Sequence, residues 1–314
     1  MDNILQKPIA FILGPTASGK TELAIDICDS VPSEIISVDS VMVYKDCNIG
    51  SAKPSEQILK QYPHHLVNVI EPSSIFSVSD FYKSSLELID EIHSRNKLPI
   101  FVGGTMMYFK QLLNGLDLLP ARNDDYRFEL EEIRKQNGNQ YLYELLHSID
   151  SEYASTLNQS DHKRIIRALE VYKLSGENMS SLLGRVDKNF LLDKYNLKQF
   201  GILDDDRSTL HKRIEKRLKK IINDGLVDEV RNILKKYNIE ENHPIRKSVN
   251  YKQAISLIKE EYDEEEFFDR ALFATRQLAK RQITWMRSWN NLDVFDNKST
   301  SNIKESIKSL TSYL

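Results

Sequence analysis

The octapeptide GPTASGKT, residues 14–21, directly follows the apolar run IAFIL at residues 9–13. It matches the pattern G-x-x-x-x-G-K-[ST], in which backbone N–H groups, a helix N-terminus and one lysine surround phosphate oxygens. Such a loop recognises a chain of phosphates and not the group attached to it. We therefore predict a phosphate site, with Thr21 also binding Mg²⁺, that is formed by Gly14, Pro15, Thr16, Ala17, Ser18, Gly19, Lys20 and Thr21.

The composition is that of an ordinary globular protein, with 314 residues, 40% apolar and 28% charged. Cys28 and Cys47 are too few for a disulfide framework, which predicts a reducing compartment, the cytoplasm. The first apolar run is far shorter than the roughly 20 residues that cross a bilayer, so no membrane partner is expected. We take a monomeric enzyme as the default expectation.

Short apolar runs that end in turn or acidic residues predict buried parallel strands at 8–14, 34–40, 65–70, 98–104 and 200–204. Helical patterns at 20–30 and 79–97 separate some of these runs, which gives the βα alternation of a doubly wound sheet. Further helices are predicted at 126–136, 140–149, 161–175, 207–237 and 264–289.

We therefore predict an α/β fold: a P-loop NTPase-like parallel sheet with flanking helices and an all-helical insertion domain. The sheet domain would comprise residues 1–119 and 197–314, and the insertion residues 120–196. The Ser/Lys/Asn-rich end, 297–314, is predicted to be partly loose.

Two polar residues follow predicted strands. Asp39 lies in VDSVMVY, residues 38–44, where a strand end would face the ligand; it is a candidate base or metal ligand, or else a helix N-cap or solvated acid. Thr105 lies in VGGTMMYF, residues 102–109, where its hydroxyl could donate to a leaving oxygen or merely cap a helix.

Basic clusters with interspersed aromatic residues occupy the second half of the chain, at 162–167, 211–220, 246–252 and 276–287. With Tyr251 and Trp285 among them, they suit contact with a nucleic-acid phosphate backbone and base stacking, although each cluster alone is typical of a solvated helix face. Arg213 and Arg217, four residues apart, could instead point back to the phosphates.

Five segments, GPTASGKT, ISVDS, VGGT, KRIIRALEVY and ATRQLAKRQITWMR, resemble the tRNA dimethylallyltransferase (tRNA isopentenyltransferase) family, in order through residues 8–289. The resemblance implies that the loop holds the diphosphate of dimethylallyl diphosphate. The acceptor would be the exocyclic amine of the adenine just 3′ to the anticodon, flipped out of its stack. Asp39 would be the general base, Thr105 would contact the bridging oxygen, and the insertion would grip the anticodon stem-loop.

The tRNA contacts that the resemblance implies are Asp39, Ser40, Val41, Met42, Thr105, Arg127, Lys163, Arg164, Ile165, Ile166, Arg167, Lys247, Ser248, Val249, Asn250, Tyr251, Lys252, Lys280, Arg281, Gln282, Ile283, Thr284, Trp285, Met286 and Arg287. Asn250 replaces the glycine usual in the family. Both cysteines lie in the first fifty residues, so the match is to the short bacterial-type form without a C-terminal zinc finger.

Two other classes use the same loop. A small-molecule or nucleoside kinase would bind ATP there, but that interpretation does not explain the basic clusters in the second half of the chain. A GTP-dependent switch needs the guanine-binding sequence N-K-x-D, and neither Asn96-Lys97 nor Asn297-Lys298 is followed by that aspartate.

Overall fold

The structure, a computed structural model, describes residues 6–117, 119–184, 190–203, 206–296, 300–311 and 314. It divides into two compact units: a larger one, Met1–Leu112 with Leu191–Leu314, and a smaller one, Leu113–Phe190.

The larger unit contains a six-stranded parallel sheet in the order β3-β2-β4-β1-β5-β6. Its strands are β1 Pro8–Leu13, β2 Ser33–Val38, β3 His64–His65, β4 Leu98–Gly103, β5 Asn196–Ile202 and β6 Asp293–Phe295. The predicted α/β fold with a parallel sheet is confirmed. Every residue of β1 is buried, as expected for a central strand covered on both faces.

Fifteen helices are described: α1 Lys20–Cys28, α2 Glu56–Gln61, α3 Val78–Ser94, α4 Met106–Asn114, α5 Asp124–Ile149, α6 Ser151–Ser155, α7 His162–Ser175, α8 Met179–Leu182, α9 Phe190–Lys194, α10 Arg207–Asn223, α11 Leu226–Lys236, α12 Pro244–Lys247, α13 Tyr251–Ile258, α14 Glu264–Arg287 and α15 Thr300–Leu310. Among the described residues, no helix is both long and apolar enough to cross a membrane.

Several predicted elements differ in extent from the observed ones. The strand expected at 65–70 is shortened to β3 because Leu66 and Asn68 adopt positive φ angles of 61° and 57°, which end the extended conformation. The helix expected at 207–237 is divided at Gly225, whose φ of 100° suits glycine. Strand β5 begins at residue 196 and not 200, and residue 204 of that predicted strand lies outside the described residues.

The C-terminal segment was predicted to be partly loose, which is wrong for the described residues 300–311. Helix α15 buries Ile303 and Ile307 against Leu23 and Ile27 of α1, and the Lys304 ammonium lies 2.8 Å from the Asp26 carboxylate. The i, i+4 spacing of the two isoleucines places both on the face that packs. Strand β6, three residues long, was not predicted at all.

The smaller unit is built on α5 and α7. Helix α5 changes direction at Gly138, whose φ of 82° and ψ of 172° are not helical, and this separates the two predicted helices 126–136 and 140–149. Leu142 and Leu146 of α5 pack with Ile165 and Leu169 of α7 in an apolar core.

The register of the sheet brings three loops together in the larger unit. Leu13 of β1 and Val38 of β2 both pair with Gly103 of β4. The three strands therefore end side by side, and the segments that begin at Gly14, Asp39 and Gly104 leave the same edge of the sheet.

Candidate active site

The loop 14–19 carries the chain from β1 into α1 and leaves the start of that helix open. Gly19 is the N-cap at φ 88°, and no side chain caps α1. The first backbone N–H groups of a helix have no acceptor within it, so they are available to an anion. Gly14 is required by packing, since a Cβ there would lie 2.5 Å from Ser18 Oγ and 3.0 Å from the Ile202 carbonyl oxygen.

Two cations adjoin the loop. The Lys20 ammonium donates to the Pro15 carbonyl at 2.7 Å. Burial and the charge of Arg217 lower the pKa of Lys20 to about 7, against the opposing effects of Asp39 and Glu22. Burial also lowers the pKa of Arg217 on α10, and Asp39 opposes that shift as well. Burial thus disfavours the positive charges of Lys20 and Arg217. A bound anion would offset that cost.

A cavity of about 470 Å³ lies against the loop and contains the side chains of Thr16, Lys20, Thr21 and Arg217 in its lining. Arg213, one helical turn before Arg217, does not line it. Of the two arginines predicted to reach the phosphates, the structure brings Arg217 to the cavity.

Asp39 and Thr105 line the same cavity from the ends of β2 and β4. Asp39 Oδ1 accepts hydrogen bonds from the backbone N–H groups of Val41 and Met42, at 2.8 and 3.1 Å. Its Oδ2 accepts none from the described residues. Asp39 therefore both orders its own turn and keeps one carboxylate oxygen for a ligand. The Thr105 N–H donates to the Val38 carbonyl at 3.2 Å, which joins the two strand ends.

The cavity also contains about half of the residues predicted to contact tRNA: Asp39, Ser40, Val41, Met42, Thr105, Lys247, Ser248, Val249, Asn250, Tyr251, Arg281, Gln282 and Trp285. Among the lining residues, Met107, Lys247, Arg281 and Trp285 are exposed, and we call these four the rim. The Lys110 ammonium lies 5.3 Å from the centre of the Trp285 ring. The rim thus combines positive charge with an exposed aromatic surface.

Several residues of the predicted RNA contacts have buried side chains in this structure. Tyr251 is 1% exposed and its hydroxyl donates to Glu229 at 2.8 Å, so it cannot stack on a base. Met286 is 3% exposed and packs in the core, and Gln282 is hydrogen-bonded inside the protein. Lys280, Thr284 and Arg287 are exposed on α14, Lys252 is exposed on α13, and Ile283 packs against a core cluster.

Asn250 has a backbone conformation that suits glycine, the residue that the resemblance implies at this position. Its φ of 72° and ψ of −50° lie in a region that side chains disfavour. The side-chain Nδ2 donates to the Gly50 carbonyl at 2.9 Å, which fixes the asparagine against the cavity wall.

Glu229 is an organising residue that sequence reasoning missed. Its carboxylate accepts from the backbone N–H groups of Asn48, Ile49 and Gly50 at 2.9, 2.6 and 3.0 Å. Gly50 and the following Ser51 line the cavity, so this carboxylate holds one wall in place. About 180 residues separate the partners, and no local pattern indicates such a contact.

In the smaller unit, Arg127 and Arg167 are ion-paired and not simply exposed. Both donate to Glu170, whose side chain is fully buried; Arg127 does so through Nε and Nη2 at 2.8 and 2.7 Å. Burial alone would raise the pKa of Glu170, but Arg127, the Asn123 N–H and Arg167 outweigh it and lower the pKa.

The other predicted contacts in the smaller unit divide by exposure. Ile165 and Ile166 are 0% and 4% exposed, so their side chains pack in the core of this unit. Lys163 and Arg164 are exposed on α7, and Arg164 is paired with Asp161 at 2.8 Å.

The described residues contain no group of three or more His, Cys, Asp or Glu side chains that could hold a metal ion. Thr21, the candidate Mg²⁺ ligand, lines the cavity at the start of α1. Its hydroxyl is an oxygen ligand of the kind that Mg²⁺ accepts, commonly together with oxygens of a bound phosphate.

The comparisons with known proteins agree with one another. A family model described as IPP transferase matches residues 42–289. A tRNA dimethylallyltransferase of Acinetobacter baumannii is 43% identical over 310 residues, which cover 97% of this chain and 98% of the relative.

Two solved structures are similar along nearly the whole chain. The tRNA isopentenylpyrophosphate transferase of Bacillus halodurans has a TM-score of 0.70 and 32% identity, covering 98% of this chain and 97% of that one. The tRNA delta(2)-isopentenylpyrophosphate transferase of Staphylococcus epidermidis has a TM-score of 0.68 and 30% identity, covering 97% of this chain and 98% of that one. The kinase alternative is not favoured, and the chain belongs to the tRNA dimethylallyltransferase family of IPP transferases.

Proposed function

We propose that this protein transfers the dimethylallyl group of dimethylallyl diphosphate to the exocyclic amine of the adenine immediately 3′ to the anticodon in tRNA, releasing diphosphate. The observation that carries this proposal is the shared cavity. Its lining includes the phosphate loop, the Asp39 carboxylate and the basic, aromatic rim. A kinase needs the loop, but it has no evident use for such a rim.

The diphosphate binds at the start of α1. The open N–H groups of the helix, Lys20 and Arg217 surround its oxygens, and the Thr105 hydroxyl donates to the oxygen that bridges phosphorus and carbon. As the carbon–oxygen bond breaks, the electron pair stays with the diphosphate. These groups then stabilise the added negative charge.

The amine is a weak nucleophile because its lone pair is delocalised into the adenine ring. Asp39 Oδ2 takes a proton from the amine as the new carbon–nitrogen bond forms, while Oδ1 remains held by Val41 and Met42. The reaction is thus a displacement at the allylic carbon, with Asp39 on the acceptor side and the phosphate loop on the leaving-group side.

Thr21 is the residue that we propose to hold Mg²⁺, together with oxygens of the diphosphate. When bound there, the ion supplies neutralisation of the leaving group's charge.

In the larger unit, we propose that the rim contacts RNA. In the smaller unit, taken by itself, we propose that the exposed Lys163 and Arg164 contact the anticodon stem-loop. The target adenine leaves its stack to enter the cavity. We further propose that the protein works as a monomer in the cytoplasm, where its two free cysteines stay reduced.

The proposal is tested by incubating the full chain with unmodified tRNA, Mg²⁺ and either labelled dimethylallyl diphosphate or labelled ATP. We expect label from the allylic donor alone, at the adenine 3′ to the anticodon, as located by nuclease digestion and mass spectrometry. Labelling from ATP, or prenylation of tRNA in which that adenine is replaced, would contradict the proposal.

A further inference from the structure

We propose that Gln282 is a positioning residue that couples RNA binding on α14 to diphosphate binding in the phosphate loop. The inference rests on the proposed function, because it assumes that both ligands bind where that function requires them. It reassigns Gln282 from an RNA contact to an internal connection.

The Gln282 amide joins two of the loops that form the site. Its Oε1 accepts a hydrogen bond from the Thr16 N–H of the phosphate loop at 2.9 Å. Its Nε2 donates to the Gly104 carbonyl, also at 2.9 Å, next to Thr105. One planar group therefore sets the spacing between the loop that binds the leaving group and the turn that carries its proposed hydroxyl donor.

The fit around this amide is close. Gln282 is 8% exposed, and a Cβ on Gly104 would lie 2.4 Å from Gln282 Nε2. A buried amide with both ends hydrogen-bonded has a defined position, since moving it would leave polar groups unpaired. A shift of α14 therefore cannot leave the phosphate loop unchanged.

The same helix carries the basic surface. Lys280 and Arg281 directly precede Gln282, and both are exposed, as is Trp285 one turn later. RNA phosphates that order these side chains would also fix the helix segment that bears Gln282. The expected consequence is positive coupling: bound RNA fixes the phosphate loop in its binding conformation and raises its affinity for diphosphate.

The test measures the dissociation constant of inorganic diphosphate with Mg²⁺, with and without a saturating anticodon stem-loop RNA. For the wild-type protein we expect RNA to tighten diphosphate binding at least about fivefold, the lower end of ordinary couplings, and diphosphate to tighten RNA binding by the same factor. In Gln282→Leu the coupling should fall to within about twofold of none, with RNA affinity alone within a few-fold of wild type.

Gln277→Leu is the matched control, because it makes the same substitution on α14 at a residue that does not line the cavity. It should keep the wild-type coupling. If Gln282→Leu unfolds, Gln282→Glu serves instead: it keeps an acceptor for the Thr16 N–H but loses the donor to Gly104. Its coupling should be weak at neutral pH and recover as acid protonates the introduced carboxyl group.

The outcomes separate this inference from the proposed function. Undiminished coupling in the Gln282 variants, or a wild-type protein that shows none while still prenylating tRNA, overturns the coupling role alone. A wild-type protein that binds diphosphate but neither binds nor prenylates tRNA overturns the proposed function.

Discussion

Substitution of Glu170, which is buried in the smaller unit, distinguishes residues that stabilise the fold from residues that contact RNA. Glu170→Gln removes the charge that Arg127 and Arg167 share, while retaining the size of the side chain. Removing one partner of a buried ion pair typically costs about 3–5 kcal/mol. The two arginines here are 28% and 25% exposed, so water compensates part of that loss. We expect the free energy of unfolding of this unit to fall by about 2–3 kcal/mol.

Urea unfolding of the full chain gives the size of the effect, and hydrogen exchange of the α5 and α7 amides locates it in the smaller unit. The pKa of Glu170 is depressed in the folded protein. Its contribution is therefore complete above the unfolded pKa of about 4.3 and is lost as the pH falls through the lower folded value. The difference between wild type and Glu170→Gln should shrink below about pH 4.

Arg164→Ala is the matched control, since Arg164 lies on the same helix and is 64% exposed. It should change the unfolding free energy by at most about 0.5 kcal/mol but reduce the salt slope of RNA affinity by about one unit. Arg167→Ala should instead lower the free energy of unfolding strongly and change the salt slope of RNA affinity little. A Glu170→Gln protein within about 0.5 kcal/mol of wild type would refute the scaffold role and return both arginines to the RNA surface.

Three further outcomes are expected. Asp39→Asn keeps an acceptor for the Val41 and Met42 N–H groups, so it should lower the rate of prenyl transfer roughly a hundredfold or more with tRNA affinity within several-fold; wild-type-like turnover would remove Asp39 as the base. Lys20 has a pKa near 7 in the free protein. The affinity for dimethylallyl diphosphate should therefore fall by up to tenfold per pH unit as the pH rises above about 7, whereas the affinity of Lys20→Arg should not fall. The same dependence of affinity on pH in the two proteins would contradict this. Asn250→Ala should be about 1 kcal/mol less stable to urea than Asn250→Gly, because both lose the hydrogen bond to Gly50 and only alanine retains the strain of a positive φ; equal stabilities would show that the backbone there is not strained.

The sequence predicts the sheet well because its strands are short, apolar and separated by helices. The octapeptide 14–21 fixes β1, the loop and α1 together, since its function depends on that order of elements. Element ends were less predictable. The positive φ at Leu66 leaves no local signal, and the spacing of Ile303 and Ile307 indicates an apolar face on α15 but not that this face packs onto α1.

For the site, sequence reasoning singled out residues that the structure places around one cavity, such as Lys20, Asp39 and Thr105, but it did not predict how each side chain is oriented. The basic and aromatic composition of α14 indicates a surface, yet Gln282 turns inward and Trp285 remains exposed. Helical periodicity indicates which residues share a face, but not which polar side chain finds a buried partner. The contacts of Glu229 with residues 48–50 and of Glu170 with Arg127 depend on tertiary packing alone.

The electrostatics of the cavity favour the transition state of the proposed reaction over its substrate. Breaking the carbon–oxygen bond adds negative charge to the diphosphate while Lys20, Arg217 and the open end of α1 stay in place. The attraction therefore grows as the reaction proceeds, which is the condition for lowering a barrier. On the other side Asp39 gains a proton and loses its negative charge, so it repels the departing diphosphate less. The diphosphate gains negative charge as Asp39 loses it, and the two changes in charge occur together. This explains why a carboxylate and two cations share a single cavity.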